Sequence, residues 1–486
     1  MRADNLKSKF IHGIKWTSLS SLFIASAQII QLAFLSRFVS ATDFGLIAIS
    51  NVAVGFCYII VDLGIGSAII HSEGLNKKKL SSLYWFSLFL GVLLTILLYL
   101  LSDFISDIYH TEQLSLVLKY LSITFTLSSF GSIFKFLVQK EMKFGIMAQI
   151  EVISISISVF LGCLSAYYGF GVFSLVISSL ANVFISSSVY LVYGIKKQLV
   201  GFHVSLKDIR DELKFGMYVF GERVINYFMS QMDVILIGRL LGTEAVGVYS
   251  VIKQIAAKPF IILSPILNRV NFPLLSKLQN NEKTLSETFL NTLFIVAYVM
   301  LAIYGLMLVL SKMLITLILG GSWVEYTTFF CIFVIGYTIV SYVNPVGTLI
   351  IAKGKARLAF FWNIVTSLLL LVFLWIGSIK GIYGVAISVL IYRVALFIPG
   401  WYFVLRNLID VSLTKYLTLF FKPAFCMFLS VACVEVIGLD EKLNINIPFY
   451  PVVTALITVI IFLLFFFTLS LILDRKLRKH LLLIKK

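Results

Sequence analysis

Leu35-Ser-Arg37-Phe-Val39-Ser-Ala-Thr-Asp-Phe-Gly45-Leu-Ile47 closes one long apolar stretch and opens the next, and it returns as Ile237-Gly-Arg239-Leu-Leu241-Gly-Thr-Glu-Ala-Val-Gly247-Val-Tyr249. The spacing from arginine to glycine is the same in both copies. A weaker echo pairs Gly169-Phe-Gly171-Val172 with Ile382-Tyr-Gly384-Val385. A spanning helix needs roughly 20 mainly apolar residues, and about fourteen stretches of the chain qualify. The first motif lies between spans one and two and returns between seven and eight. The echo lies between five and six and returns between eleven and twelve, so each copy of the repeat holds six spans. Six is an even number, so the second copy enters the membrane in the same direction as the first. The expected fold is an all-α polytopic membrane protein with two six-helix lobes related by an axis along the membrane normal, plus two C-terminal helices. Its parts are a lobe over 1–195, a cytoplasmic amphipathic linker over 196–214, a second lobe over 215–410, and two added spans with a basic tail over 411–486.

Composition leaves no room for a soluble fold. Of the 486 residues 60% are hydrophobic and 13% charged, and the mean hydropathy is +1.00; such a chain in water would expose large apolar patches. Twenty-nine of the forty Lys and Arg residues fall in every second gap between spans. They include Lys77–Lys79, Lys135/Lys140/Lys143, the Lys196–Lys214 linker, Lys353/Lys355/Arg357 and the C-terminal tail, whereas the intervening gaps hold only Arg37, Arg239, Lys312, Lys380 and Lys442. By the positive-inside rule both termini are cytoplasmic. The net charge of +17 therefore marks an inner leaflet rather than a nucleic-acid partner, which would gather its cations on one face of a soluble domain. Residues Ser205–Lys214 are expected to form a short interfacial helix on anionic headgroups. A basic start followed by an apolar run and Ala25-Ser26-Ala27 has the look of a cleaved signal peptide. That run continues to Ser36, however, and removing it would invert the alternation downstream.

Catalytic and metal chemistry find little support. The five cysteines, Cys57, Cys163, Cys331, Cys426 and Cys433, lie inside spans without ligand spacing. No phosphate-binding loop occurs, and neither a cofactor nor a metal is expected. A membrane enzyme such as a glycan polymerase or ligase would carry its catalytic residues on a long periplasmic loop, and every outer gap here is short.

The motifs Ile14-Lys-Trp-Thr17, Arg37-Phe-Val-Ser-Ala-Thr-Asp-Phe-Gly45-Leu46, Asp62-Leu-Gly64-Ile-Gly66 and Asn226-Tyr-Phe-Met-Ser-Gln-Met-Asp233 resemble those of the Wzx-type polysaccharide flippases. Within that group the chain is most similar to the colanic acid exporter-like branch of the multidrug/oligosaccharidyl-lipid/polysaccharide exporter superfamily. The resemblance spans nearly the whole chain. It implies a flippase that moves undecaprenyl-diphosphate-linked oligosaccharide from the cytoplasmic to the periplasmic leaflet of a bacterial inner membrane by alternating access, for O-antigen, capsule or exopolysaccharide synthesis. The implied partners are that lipid-linked glycan, membrane lipids, a coupling proton or sodium ion and a glycan polymerase. The alternative is a cation-coupled exporter of drugs or other lipids from the same superfamily.

Charges inside spans are the candidate site residues, because an ionisable group at the bilayer centre costs at least ~2.5–3.5 kcal/mol and faces a cavity or a partner. Lys258 and Arg393 fall near the middle of spans eight and twelve, and Asp62 lies past the middle of span two. Arg223, Lys253, Lys258, Arg393 and Lys422 crowd the second lobe, which suits an anionic ligand. Arg393 is the preferred diphosphate contact because a guanidinium binds phosphate bidentately, with Lys258, Lys253, Arg223 and Asn226 completing a cavity. Glu222, Asn226 and Asp233 share a face of span seven, within about 40° at the helical period. Asp62, Glu222 and Asp233 are the candidates for a coupling ion, since a carboxylate in apolar surroundings exchanges a proton readily. For Asp62 a structural pair with an arginine or lysine is an equal reading. All eight prolines follow residue 258, and Pro259, Pro265 and Pro345 are candidate gating kinks.

Overall fold

The computed structural model describes residues 2–71, 76–437, 450–474 and 477–478. Lys442, Pro448 and the tail cations Arg475, Lys476, Lys479, Lys485 and Lys486 lie outside them, as do the side chains of Arg2, Lys7, Lys9, Lys15, Glu222 and Pro451. The described chain is helical: α1 (Arg2–Leu35), α2 (Ala41–Asp62), α3 (Ile65–His71), α4 (Lys77–Tyr109), α5 (Glu112–Lys140), α6 (Phe144–Tyr167), α7 (Val172–Lys196) and α8 (Arg210–Lys277). There follow α9 (Glu282–Val309), α10 (Ser311–Ile318), α11 (Thr327–Ala352), α12 (Ala356–Ser378), α13 (Gly381–Ala395), α14 (Phe397–Pro399), α15 (Leu413–Ile437) and α16 (Tyr450–Leu473).

Among the described residues twelve helices are long and apolar enough to cross a membrane. One of them, Arg223–Lys277, has 55 residues, about 80 Å at the α-helical rise and far more than one bilayer. It is broken at Gly242, where φ 87° and ψ 178° leave the helical region, a backbone state open to glycine. It therefore supplies spans seven and eight. The apolar Leu19–Leu35 part of α1 completes fourteen crossings, and the chain is a multi-pass membrane protein.

Local chemistry sets the helix ends. Ser40 and Asp43 form a capping box at the start of α2, with the Asp43 amide donating to Ser40 Oγ at 3.2 Å. The Arg37 guanidinium donates to the Ala33 carbonyl near the end of α1, so this half of the repeat motif is a helix cap. The segment before α8 differs from the expected interfacial helix. Gly201 N donates to Ser81 Oγ at 2.8 Å, Ser205 N to Ser82 Oγ at 3.0 Å, and Trp85 Nε1 to the Gly201 carbonyl at 3.1 Å. Side chains of α4 thus take the backbone groups that a helix would have used, and helix resumes only at Arg210.

Two compact units emerge from the contacts: Met1–Ser250 with Ile318–Gly320, and Val251–Leu317 with Gly321–Lys486. Their boundary falls inside the second copy of the repeat, not at its start. In the first unit α5 is central and packs on α4 and α7. Small residues set those distances: a Cβ on Gly91 would lie 2.0 Å from Ser129 Oγ, and one on Gly131 would lie 2.6 Å from Ser187 Cα, as close packing without a hydrophobic drive requires. In the second unit α9, α11 and α15 surround an aromatic core in which the buried Tyr342 hydroxyl donates to the Tyr416 carbonyl at 2.8 Å. The last two spans are built into this unit, with Phe462 and Phe466 of α16 fully buried and Phe462 filling the space left by Gly305 of α9.

Candidate functional site

Asp62 is the last residue of α2, where Leu63 and Gly64 turn through positive φ before α3 begins. Its Oδ1 accepts from the Gly66 amide at 3.1 Å, capping α3, and its Oδ2 pairs with the Arg223 guanidinium. Arg223 reaches on to Ser67 Oγ at 3.3 Å. Of the two readings of Asp62, the structure displays the arginine pair. The pair joins α2 to the first half of α8, a seam closed further by Tyr227, whose hydroxyl donates to the Val52 carbonyl at 2.9 Å. Gly55 makes room for that ring, since a Cβ there would lie 2.2 Å from the hydroxyl.

Asp62 also lines a cavity of about 410 Å³ inside the first unit, with Tyr58, Ser132, Lys135, Glu151, Asn182 and Tyr190 among its walls. Tyr190 is 3% exposed, and its hydroxyl has no hydrogen-bond partner among the described residues. Two partly buried acids, a lysine, an amide and several hydroxyls around one void make a polar chamber among spanning helices, where such groups are expensive unless used. Sequence reading missed Asn182, Tyr190 and the convergence on Glu151. Asn182 alone carried a signal, as an amide in the middle of span six.

Asp233 and Asn226, expected to share a face of span seven, differ in exposure. Asp233 is 6% exposed and accepts from the Tyr249 hydroxyl at 2.7 Å, whereas Asn226 is exposed. Asp103 and Lys119 form a pair at 2.8 Å between α4 and α5.

In the second unit Lys253 and Lys258 lie partly exposed on the later half of α8. Arg393 of α13 stands with Cζ 4.7 Å from the centre of the Tyr337 ring, a cation–π contact. Gly336 clears the space, because a Cβ there would lie 2.5 Å from Arg393 Nη1. The later half of α8 comes close through Phe260, whose ring centre is 6.2 Å from that of Tyr337. Lys422 is exposed. Arg393 also lines a second cavity, of about 550 Å³, between α11, α12 and the end of α13.

The helical run of α8 includes Pro259, Pro265 and Pro273, and its dihedral break is at Gly242. Pro345 lies within α11, next to Asn344, which is hydrogen-bonded to Asn268 at 3.4 Å, and near Thr348, which donates to Asn268 at 2.9 Å. Pro399 cannot donate to the Ala395 carbonyl; after it comes a π-helical turn over Gly400–Val404 in which Leu405 N bonds the Gly400 carbonyl.

Residues 34–328 match the family described as polysaccharide biosynthesis protein. Teichuronic acid biosynthesis protein TuaB of Bacillus subtilis is 30% identical over 90% of this chain and 90% of its own. Lipopolysaccharide biosynthesis protein WzxC of Escherichia coli is 26% identical over 90% of this chain and 89% of its own. Among solved structures, the lipid II flippase MurJ in an inward closed conformation superposes with a TM-score of 0.71 at 17% identity, covering 96% of this chain and 99% of its own. That likeness is one of fold.

Proposed function

The chain belongs to the polysaccharide biosynthesis protein family of Wzx-type exporters, and from that membership we propose that it translocates undecaprenyl-diphosphate-linked oligosaccharide repeat units between leaflets of a bacterial inner membrane. On this reading both termini are cytoplasmic, the two six-helix lobes rock to expose a central cavity to alternate sides, and no covalent bond changes. The names of the relatives support the glycan class. The observation that carries the anionic carrier lipid is Arg393, a cation held over Tyr337 inside the spans and bordering a cavity. A diphosphate offers it paired acceptor oxygens, and Lys253 and Lys258 add positive potential from α8. Asp62 is the coupling carboxylate of this reading, and a proton or sodium ion must compete with Arg223 for it, which ties ion exchange to the α2–α8 seam.

Mass analysis of lipid-linked intermediates in a deletion strain tests the proposal. Accumulation of undecaprenyl-diphosphate-linked repeat units, relieved by the wild-type gene and not by Arg393→Ala, is the expected result. Normal surface glycan in a deletion strain that has no second exporter overturns it; drug sensitivity with intact glycan would favour a drug exporter instead.

A further inference from the structure

The cavity bordered by Arg393 is built for a ligand of two characters. Its walls include Val340, Val343, Ile351, Trp362, Leu396 and Phe397, a surface that offers hydrocarbon and ring contacts but few hydrogen bonds. Two of its polar groups are engaged, the Tyr392 hydroxyl donating to the Thr366 carbonyl at 2.9 Å and Asn344 being tied to Asn268. Asn363 is a further polar residue of the lining, and Arg393 is its one charged residue among the described ones. Among the described residues it has no carboxylate partner, its ring contact being with Tyr337, so its donors remain for an anion. The chamber is bounded on one side by α12, the least enclosed of the twelve candidate spans among the described residues. Its floor has room as well, since a Cβ added at Gly347 would meet no atom within 4 Å. An anionic headgroup with a hydrocarbon chain satisfies both the cation and the walls.

We infer that this cleft holds the first isoprene units of a polyprenyl-diphosphate carrier, with Arg393 on its diphosphate. The inference rests on the function proposed above and adds where the lipid part of the substrate is gripped: on α11, α12 and α13 of the second unit. The cavity accommodates only the start of a long polyprenyl chain, and the remainder stays in the bilayer. The grip is therefore for the head-proximal, methyl-branched segment common to every glycan the carrier bears, and sugar recognition must lie elsewhere.

The test uses the purified full-length chain in nanodiscs of phosphatidylethanolamine and phosphatidylglycerol, with a benzophenone-bearing analogue of farnesyl diphosphate as the probe. Irradiation followed by peptide mass analysis is expected to place adducts on α11 and α12, near Val343 and Trp362. Excess unlabelled farnesyl diphosphate should suppress them, and added phosphatidylglycerol should not. Gly347→Trp fills the floor from open space and is expected to lower adduct yield about tenfold, equivalent to ~1.4 kcal/mol, with an unchanged unfolding midpoint. Where that variant does not fold, the adduct map of the wild-type chain decides alone. Adducts confined to other helices, undiminished labelling in folded Gly347→Trp, or equal suppression by phosphatidylglycerol overturns the inference, the last by making the cleft a general phospholipid seat. Adducts in the cleft together with a deletion strain that accumulates no lipid-linked glycan would uphold the cleft and sink the proposed function. Adducts elsewhere with glycan accumulating would do the reverse.

Discussion

Gly45 and Gly247 press into each other's helix: a Cβ on Gly45 would lie 1.8 Å from the Thr243 carbonyl oxygen, and one on Gly247 would lie 1.7 Å from that of Ala41. Ala41 precedes Gly45 by the same four residues that separate Thr243 from Gly247. The contact is therefore reciprocal, as a two-fold repeat axis between the two glycines would make it. It also gives the repeated glycine a reason beyond a tight turn, because backbone meets backbone and no side chain can yield.

Gly45→Ala and Gly247→Ala are accordingly expected to force the helices apart, each destabilising the chain by ~1–3 kcal/mol as overpacking does. Gly347→Ala, whose Cβ meets nothing within 4 Å, serves as the control and should be neutral or slightly stabilising through helix propensity. Thermal unfolding in detergent followed by tryptophan fluorescence measures all three. Equal midpoints for Gly45→Ala and Gly347→Ala would contradict the reciprocal contact.

The Asp62–Arg223 pair separates a structural from a coupling role. Its side chains are 20% and 40% exposed, so a double-mutant cycle with Asp62→Asn and Arg223→Gln should give a coupling on the order of 1–2 kcal/mol, below that of a fully buried pair. If Asp62 exchanges the coupling ion, the double variant regains stability and still fails to export. Recovery of export alongside stability would reduce the pair to a strut.

Gly336→Ala tests whether Arg393 must be seated over Tyr337. The new methyl would meet the far end of the arginine, 2.5 Å away, so the guanidinium moves and the helices do not. Stability should stay within about 0.5 kcal/mol of wild type, while glycan export falls towards the level of Arg393→Ala. Wild-type export by this variant would show that the seat is dispensable.

Much of the fold was legible because apolar length is a local property: a crossing can be read from its own residues, and the repeat could be read because Arg37/Gly45 and Arg239/Gly247 kept their spacing. Gly242 shows where that reading stops. A gap between spans seven and eight is visible in Leu241-Gly-Thr-Glu, but not that helix continues almost to the glycine on either side. The segment around Gly201 escaped for a different reason. Its conformation is decided by Ser81, Ser82 and Trp85, far away in the chain. The site divides in the same way. Arg393 and Asp62 stood out because a charge inside a span is conspicuous alone, whereas the Asp62–Arg223 pair and the chamber around Glu151, Asn182 and Tyr190 exist only once several helices are packed. Gly336 carried no signal at all, since its use is the space it leaves for another residue.

The turn between α5 and α6 provides a measurement outside the membrane. Glu141 pairs with Lys143 and lies 3.8 Å from Lys197, and Lys197 donates to the Tyr193 hydroxyl at 2.6 Å, so the turn is stapled to the end of α7. The hydrogen bond from Lys143 holds the Glu141 carboxyl below the usual glutamate range, and the same bond raises Lys143. For the depressed glutamate the stabilisation is complete above its unfolded value and is lost as pH falls through the lower folded value. For the raised lysine it is complete below the unfolded value and is lost as pH rises through the higher folded one. Between these limits the staple is constant. Both side chains are about two-fifths exposed, so solvent screening limits it to ~0.5 kcal/mol. Amide exchange in the turn should therefore accelerate as pH is lowered from about 7 to about 3, after correction for the intrinsic exchange rate. It should lose that dependence in Glu141→Gln, and weaken in about 0.5 M salt. A Glu141→Gln protein whose turn still loosens with acid would place the titrating group elsewhere.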